Sequence, residues 1–102
     1  MQNVAVYVIT NTITGEQYVG ASQHVTYRLH EHKRAMRGGY HPNPRLQSAW
    51  KQYGEIAFDF TIIEYVQAEN PPRCTAAERS ELDRLERSWI DKLHPAYNRI
   101  RA

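Results

Sequence analysis

Five side chains of this sequence have types suited to phosphate chemistry, and three of them, Arg28, His32 and Glu86, sit where a merely structural domain would prefer carbon. Leu82, Leu85, Trp89, Ile90 and Leu93 recur at helical spacing, and at about 100° per residue Glu86 falls inside their stripe, between Leu82 and Ile90. A carboxylate facing a core is costly unless it is paired or bound to a cation. Glu78 lies on the same side but serves as a helix cap, whereas Glu86 has no such local reason. The competing explanation is a glutamate at the edge of the stripe that reaches solvent or pairs with an arginine. Upstream, Val25, Leu29 and Met36 share a helical face with Arg28 and His32, four residues apart, while His30 projects to the opposite side. A lone inward histidine is usually a satisfied core residue, but an inward Arg and His one turn apart point to a shared polar site. Tyr7 and Tyr18 complete the set.

Phosphodiester cleavage uses this combination. A carboxylate holds a divalent metal that neutralises charge on the scissile phosphate and the leaving oxygen, and a guanidinium clamps a non-bridging oxygen in bidentate fashion. A base must then activate water. A phenol, with its pKa near about 10, does so only if a cation or a hydrogen bond to histidine makes its anion accessible.

The elements that must position these groups follow from local pattern. Val4 to Thr10 is rich in β-branched and aromatic residues with apolar side chains on both faces, which predicts a strand covered on both sides. Asn11 to Gly15 carries turn chemistry and Gln17 to Ala21 is again extended, so the two form a hairpin. Centred between Thr12 and Ile13, it would set Tyr7 opposite Tyr18; a bulge would shift that register and still leave the phenols near one another. Ser22 is placed to cap a helix from about Gln23 to Arg37, stopped by Gly38-Gly39. Asn43 followed by Pro44 opens a second helix, with Leu46, Ala49, Trp50 and Tyr53 on one stripe and Gly54 at its end. Ile56, Phe58, Phe60 and Ile62 alternate with Ala57, Asp59 and Thr61 as in a half-buried strand. After a loop at Ala68 to Arg73, Thr75-Ala-Ala-Glu78 is a capping box opening a helix to about Leu93. The expected fold is a small α/β (α+β) domain, order β-β-α-α-β-α, with a three-stranded antiparallel sheet flanked by helices.

At 102 residues the chain fits one domain spanning 1–102, without room for a large targeting domain. Its 41% apolar and 24% charged composition is that of an ordinary globular protein. No apolar run nears the roughly 20 residues of a membrane span, and the N-terminus lacks a basic segment followed by an apolar core. The default is thus an intracellular, cytoplasmic protein without a membrane partner. Cys74 is the single cysteine, which removes intrachain disulfides, thiolate zinc sites and Cys-x-x-Cys redox chemistry. The net charge of +2 argues little, but Arg28, Lys33, Arg34, Arg37 and Arg45 oppose one acid, Glu31, between His24 and Arg45, with four histidines interleaved. Such a stretch can follow a phosphate backbone, or be only a solvated helix face.

Ala5-Val6-Tyr7 and Tyr18-Val19-Gly20 resemble the paired motifs of the GIY-YIG nucleases. The resemblance continues through Arg28-x-x-x-His32, the run from His41 to Glu55, Phe58-Asp-Phe60, Glu86-Arg-Ser-Trp89-Ile90 and Tyr97-Asn98, much as in the phage and intron-encoded homing branch. It implies a GIY-YIG fold and a DNA endonuclease using one Mg²⁺ or Mn²⁺. Tyr7 and Tyr18 would stand at the chemical centre, with either as base and Tyr7 preferred. Arg28 would bind the scissile phosphate, His32 would orient a tyrosine or relay its proton, and Glu86 would hold the metal. Gly20, Lys33, His41 and Asn98 are the further positions expected to bind or border the substrate, Gly20 because it lets another chain or the phosphate come close. Asn98 would brace the site. One departure is Ala5, where the family has glycine; inside a strand a small side chain serves. Homing enzymes continue into a linker and a DNA-reading module, so the chain reads either as an excised catalytic domain or as a free-standing nuclease. The alternatives are a nucleic-acid-binding module that keeps the fold without cleavage, and an ordinary α/β interaction domain.

Overall fold

The computed structural model describes residues 3–98. Strand β1 (Ala5–Asn11) lies at the centre of a three-stranded antiparallel sheet, between β2 (Gln17–Ser22) and β3 (Phe58–Tyr65). Helices α1 (Val25–Gly38) and α2 (Pro44–Tyr53) cover one face, and α3 (Ala76–Leu93) covers the other. Short 3-10 turns at Glu55–Ala57 and Ala96–Asn98 complete the order. The expected succession of elements is therefore observed.

Alternation along β1 makes the two-sided core. Ala5, Tyr7 and Ile9 pack with Val25, Met36, Leu46 and Trp50 beneath α1 and α2. Val4, Val6 and Val8 pack with Val19, Leu82 and Leu85 beneath α3. A central strand buried on both faces carries no polar alternation, which explains the continuous apolar run.

The hairpin register differs from the expected one. Tyr7 pairs with Gly20, and Tyr18 pairs with Ile9. The cause lies in the turn. The Asn11 side-chain oxygen accepts from the Ile13 N–H (3.0 Å), the Gly15 N–H donates to the Asn11 carbonyl (2.7 Å), and Gly15 sits at φ +81°, so the loop is centred one residue later. The phenols become diagonal neighbours on one face.

Other boundaries shift for equally local reasons. The Ser22 hydroxyl accepts from the His24 N–H at 2.9 Å instead of capping the helix, and α1 starts only at Val25, with no side-chain cap. Ile56 is fully exposed on the 3-10 turn, and β3 begins at Phe58. On β3 a bulge lies opposite Val6 and Tyr7: Val6 pairs with Glu64, and Tyr7 with Ile62. The extra residue turns both Ile63 and Glu64 toward α3, where Glu64 Oε1 accepts from the Trp89 indole N–H at 2.8 Å. The cap expectations elsewhere are met. Asn43 Oδ1 accepts from the Leu46 N–H at 3.1 Å, with Pro44 at the first helical position. Thr75 and Glu78 form the reciprocal box, and the second Glu78 oxygen accepts from the Glu69 N–H at 3.1 Å, tying the preceding loop to α3. No helix among the described residues is long and apolar enough to cross a membrane.

Candidate active site

Tyr7, Tyr18 and His32 meet between the sheet and α1. The Tyr7 and Tyr18 ring centroids are 6.5 Å apart, and the His32 ring stands edge-on to both, at 5.4 and 5.5 Å. Tyr7 Oη lies 2.6 Å from His32 Nε2. Behind it, His32 Nδ1 lies 2.7 Å from His41 Nε2, with the two imidazoles stacked at 4.9 Å, and the Asn43 peptide N–H donates to His41 Nδ1 at 3.0 Å. The chain of contacts thus runs from the start of α2, through the loop and α1, to the central strand. The Tyr18 hydroxyl makes no hydrogen bond to any described residue.

The electrostatics follow from burial. Tyr7 is 1% exposed, and desolvation raises its pKa strongly, helped by Tyr18 and by Glu86; the Arg28 guanidinium beside the hydroxyl pulls the other way. Tyr18 is raised for the same first reason, with the same opposition from Arg28. His32 is 2% exposed, and burial with the nearby Arg28 charge and His41 lowers its pKa to about 3, so its ring is neutral. His41 is lowered by burial and by Arg28.

Arg28 is half-exposed, and its only ion pair among the described residues is a loose one to Glu31 at 3.4 Å, so its guanidinium is not committed to a tight carboxylate pair there. Glu86 lies half-buried on α3 between buried Leu82 and Leu85 and half-buried Ile90. It forms no ion pair or hydrogen bond with any described residue, so none of the described arginines pairs with it. Burial, then Asp83, raises its pKa against the pull of Arg87. Although α3 and α1 cover opposite faces of the sheet, the Glu86 charge contributes to raising both phenols.

Gly20 is where the structure revises the expectation most clearly. A Cβ there would stand 2.4 Å from Tyr7 Cζ and Oη. What comes close is therefore the Tyr7 ring. His41 also moves to a supporting place. It is 9% exposed with both ring nitrogens engaged by His32 and Asn43, leaving neither for a substrate. Asn98 is fixed to the backbone of β2 beside Tyr18. Its Oδ1 accepts from the Val19 N–H at 2.7 Å and its Nδ2 donates to the Val19 carbonyl at 2.9 Å, between Tyr18 and Gly20.

Lys33 is not brought into this cluster. One position beyond His32, its side chain turns about 100° away on the helix, and its ammonium lies over the Phe60 ring at 4.9 Å. The basic stretch is also less free than its composition implies. Arg37 is paired two-pronged with Glu55, and Arg45 lies 3.9 Å from Glu16 and donates to the Ala96 carbonyl at 3.0 Å. Arg34 remains exposed without an ion pair among the described residues.

The residue that sequence reasoning undervalued is Asn43. Its side chain caps α2 and donates to the Tyr97 carbonyl at 2.7 Å, while its peptide N–H anchors His41. Its 4% exposure was the signal available only in three dimensions.

Residues 3–99 match the family described as GIY-YIG catalytic domain. A curated relative from Neurospora crassa, named "Probable intron-encoded endonuclease 1", is 30% identical over 89 residues, covering 87% of this chain and 27% of the relative. The chain therefore spans about a quarter of that relative's length. Two solved structures of the catalytic domain of the intron endonuclease I-TevI, one of them a point mutant, share the fold. The mutant superposes with a TM-score of 0.73 at 23% identity, covering 92% of this chain and 86% of that one. The other gives 0.72 at 24%, covering 89% and 88%. The ordered sequence motifs, the sheet order and the match across nearly the whole chain agree: this protein belongs to the GIY-YIG family and has its catalytic-domain fold.

Proposed function

We propose that the protein is a divalent-metal-dependent DNA endonuclease, with Tyr7 as base, Arg28 on the scissile phosphate and Glu86 as the metal ligand. The observation that carries this reading is a half-buried carboxylate with no partner among the described residues, together with a neutral Tyr7–His32 pair that has Arg28 beside the Tyr7 hydroxyl. The names of the relatives, intron-encoded endonucleases, support DNA as the substrate.

The donor set fits Mg²⁺ or Mn²⁺ held by one protein ligand. No group of three or more His, Cys, Asp or Glu able to hold a metal occurs among the described residues, so a dedicated protein cage is not what these side chains offer. One carboxylate, with water and phosphate oxygens supplying the rest, is a usual arrangement for Mg²⁺. Such an ion, on Glu86, supplies positive charge at the phosphate and the leaving oxygen.

The chain's own residues do the remaining work. Arg28 presents a planar fork to a non-bridging phosphate oxygen. Tyr7, as the phenolate left once its hydroxyl proton has passed to solvent, removes a proton from water as the new P–O bond forms and the bond to the leaving oxygen breaks. His32 holds the Tyr7 oxygen in place. Burial keeps Tyr7 protonated in the resting protein, so added positive charge near it is what makes the base accessible.

The test is nicking of supercoiled plasmid with Mg²⁺ or Mn²⁺, beside a chelator control and Glu86→Ala. Metal-dependent conversion to open circles that the variant lacks is expected. Salt-sensitive DNA binding with no cleavage by either protein would refute the enzyme and leave a binding module.

A further inference from the structure

The four ring nitrogens of His32 and His41 are engaged in one chain of contacts, and that chain has a single consistent placement of protons. The Asn43 peptide N–H points at His41 Nδ1 from 3.0 Å, so that nitrogen carries a lone pair, and neutral His41 must carry its proton on Nε2. His41 Nε2 is 2.7 Å from His32 Nδ1, which is therefore an acceptor. Neutral His32 then carries its own proton on Nε2, the nitrogen 2.6 Å from Tyr7 Oη. Reversing the middle bond would leave His41 accepting at both nitrogens with no proton at all. Placing two protons on His32 would set two N–H groups face to face at 2.7 Å.

The origin of this polarity is rigid. Asn43 is held by its side-chain bonds to the Leu46 N–H (3.1 Å) and the Tyr97 carbonyl (2.7 Å), and Gln47 Oε1 accepts from the His41 N–H at 2.9 Å. A peptide N–H at the start of α2 cannot reverse its sense as a hydroxyl can.

We propose that the Asn43 peptide and His41 are positioning groups that act through His32, fixing it as a hydrogen-bond donor to Tyr7 Oη. Tyr7 thus receives a hydrogen bond from His32 and turns its own hydroxyl hydrogen away from that ring. His32 is not the acceptor of the Tyr7 proton; it is a donor already aimed at the oxygen that becomes negative, so no reorganisation is needed when the phenolate forms. This deepens the endonuclease reading and rests on it for its catalytic meaning, but not for its geometry.

The test reads tautomers directly. The whole protein, labelled with ¹³C and ¹⁵N, is examined by long-range ¹H–¹⁵N correlation at neutral pH without metal or DNA, with each histidine ring assigned by through-bond correlation to its own backbone. Both His32 and His41 are expected neutral with the proton on Nε2. A proton on Nδ1 of either ring, or a doubly protonated His32, would overturn the proposal, and this wild-type spectrum depends on no variant folding. In His41→Ala, His32 is expected to lose its single tautomer. Its cleavage kcat should fall by about 10- to 100-fold with KM little changed, as when a partner fixing a histidine's tautomer is removed. An unchanged His32 tautomer in that variant would also overturn it. Because the tautomers are read without DNA, a protein that fails to cut refutes the endonuclease and says nothing against the fixed His32 tautomer.

Discussion

Replacing Gly20 by alanine tests the site through a single methyl group. Gly20 has no positive φ to protect, so on backbone grounds alone the substitution should stabilise by about 0.4–1 kcal/mol, by restricting the unfolded chain. Space decides otherwise. The new Cβ would stand 2.4 Å from Tyr7 Cζ and Oη and 2.9 Å from Cε1, so the ring must move by about 1 Å to reach ordinary contact. Tyr7 is 1% exposed and its oxygen is 2.6 Å from His32, so such a move either breaks that hydrogen bond or compresses it beyond tolerance. Overpacking costs about 1–3 kcal/mol and a lost buried hydrogen bond about 1 more, against the small entropic gain. A net loss of about 2 kcal/mol corresponds to a melting temperature lower by roughly 8–16 °C for a domain of this size. A displacement of this size in a reacting group costs about 100-fold in rate. Thermal melting and plasmid nicking are measured on Gly20→Ala beside Gly15→Ala. The latter sits at φ +81° with open space around it, so it should lose about 1 kcal/mol and keep its activity. A Gly20→Ala protein that melts with the wild type and nicks at the wild-type rate would refute the packing of Tyr7 over Gly20.

Four further outcomes follow from the same geometry. Tyr7→Phe leaves a buried His32 N–H without its partner, costing about 1–3 kcal/mol and suppressing nicking by about 10²- to 10⁴-fold. Tyr18→Phe removes a hydroxyl that bonds no described residue, so denaturant unfolding should change by less than about 0.5 kcal/mol. Glu86→Gln relieves a half-buried carboxylate that has no partner among the described residues, so its melting temperature should equal or exceed the wild type's while metal-dependent cleavage is lost; a marked fall in stability would show that the carboxylate is structural. His32 has its pKa lowered from 6.5 to about 3, and that of His41 is also lowered. Below pH 6.5 the unfolded chain binds protons that the folded chain refuses, so this stability is complete above 6.5 and drains as pH falls toward 3, by up to about 1.4 kcal/mol per pH unit for His32, with His41 acting in the same direction. Glu86, raised, acts in the opposite sense. Unfolding midpoints from pH 7 to 4 should show a decline that His32→Gln flattens, and an equal slope in both proteins would contradict the buried neutral ring.

Much of the site was legible because polar residues at apolar periodicity have few innocent explanations. Glu86 in the stripe of Leu82 and Ile90 was visible from helical spacing alone, as were Arg28 and His32 on one face. The hairpin register was not, because it depends on which turn hydrogen bonds Asn11 makes, and several loop geometries share that composition. Ile56 extended an alternating pattern that Gly54, at φ +84°, had already broken, since a 3-10 turn and a strand end look alike over three residues. Lys33 and the basic stretch were misjudged because charge counts ignore partners: Phe60, Glu55 and Glu16 lie far away in sequence. His41 behind His32 is a contact between a helix and a loop that periodicity does not encode.

The amide of Asn98 has a consequence beyond bracing. β2 is an edge strand, and an unpaired edge invites another chain to add a strand. Val19 would offer that visitor its outward N–H and carbonyl, but Asn98 already occupies both, as a one-residue stand-in for a fourth strand. A side chain there closes the middle rung without the flat ladder that promotes fibrous stacking. Substituting Asn98 thus risks misassembly as much as misfolding, with aggregation starting from the very strand that carries Tyr18 and Gly20.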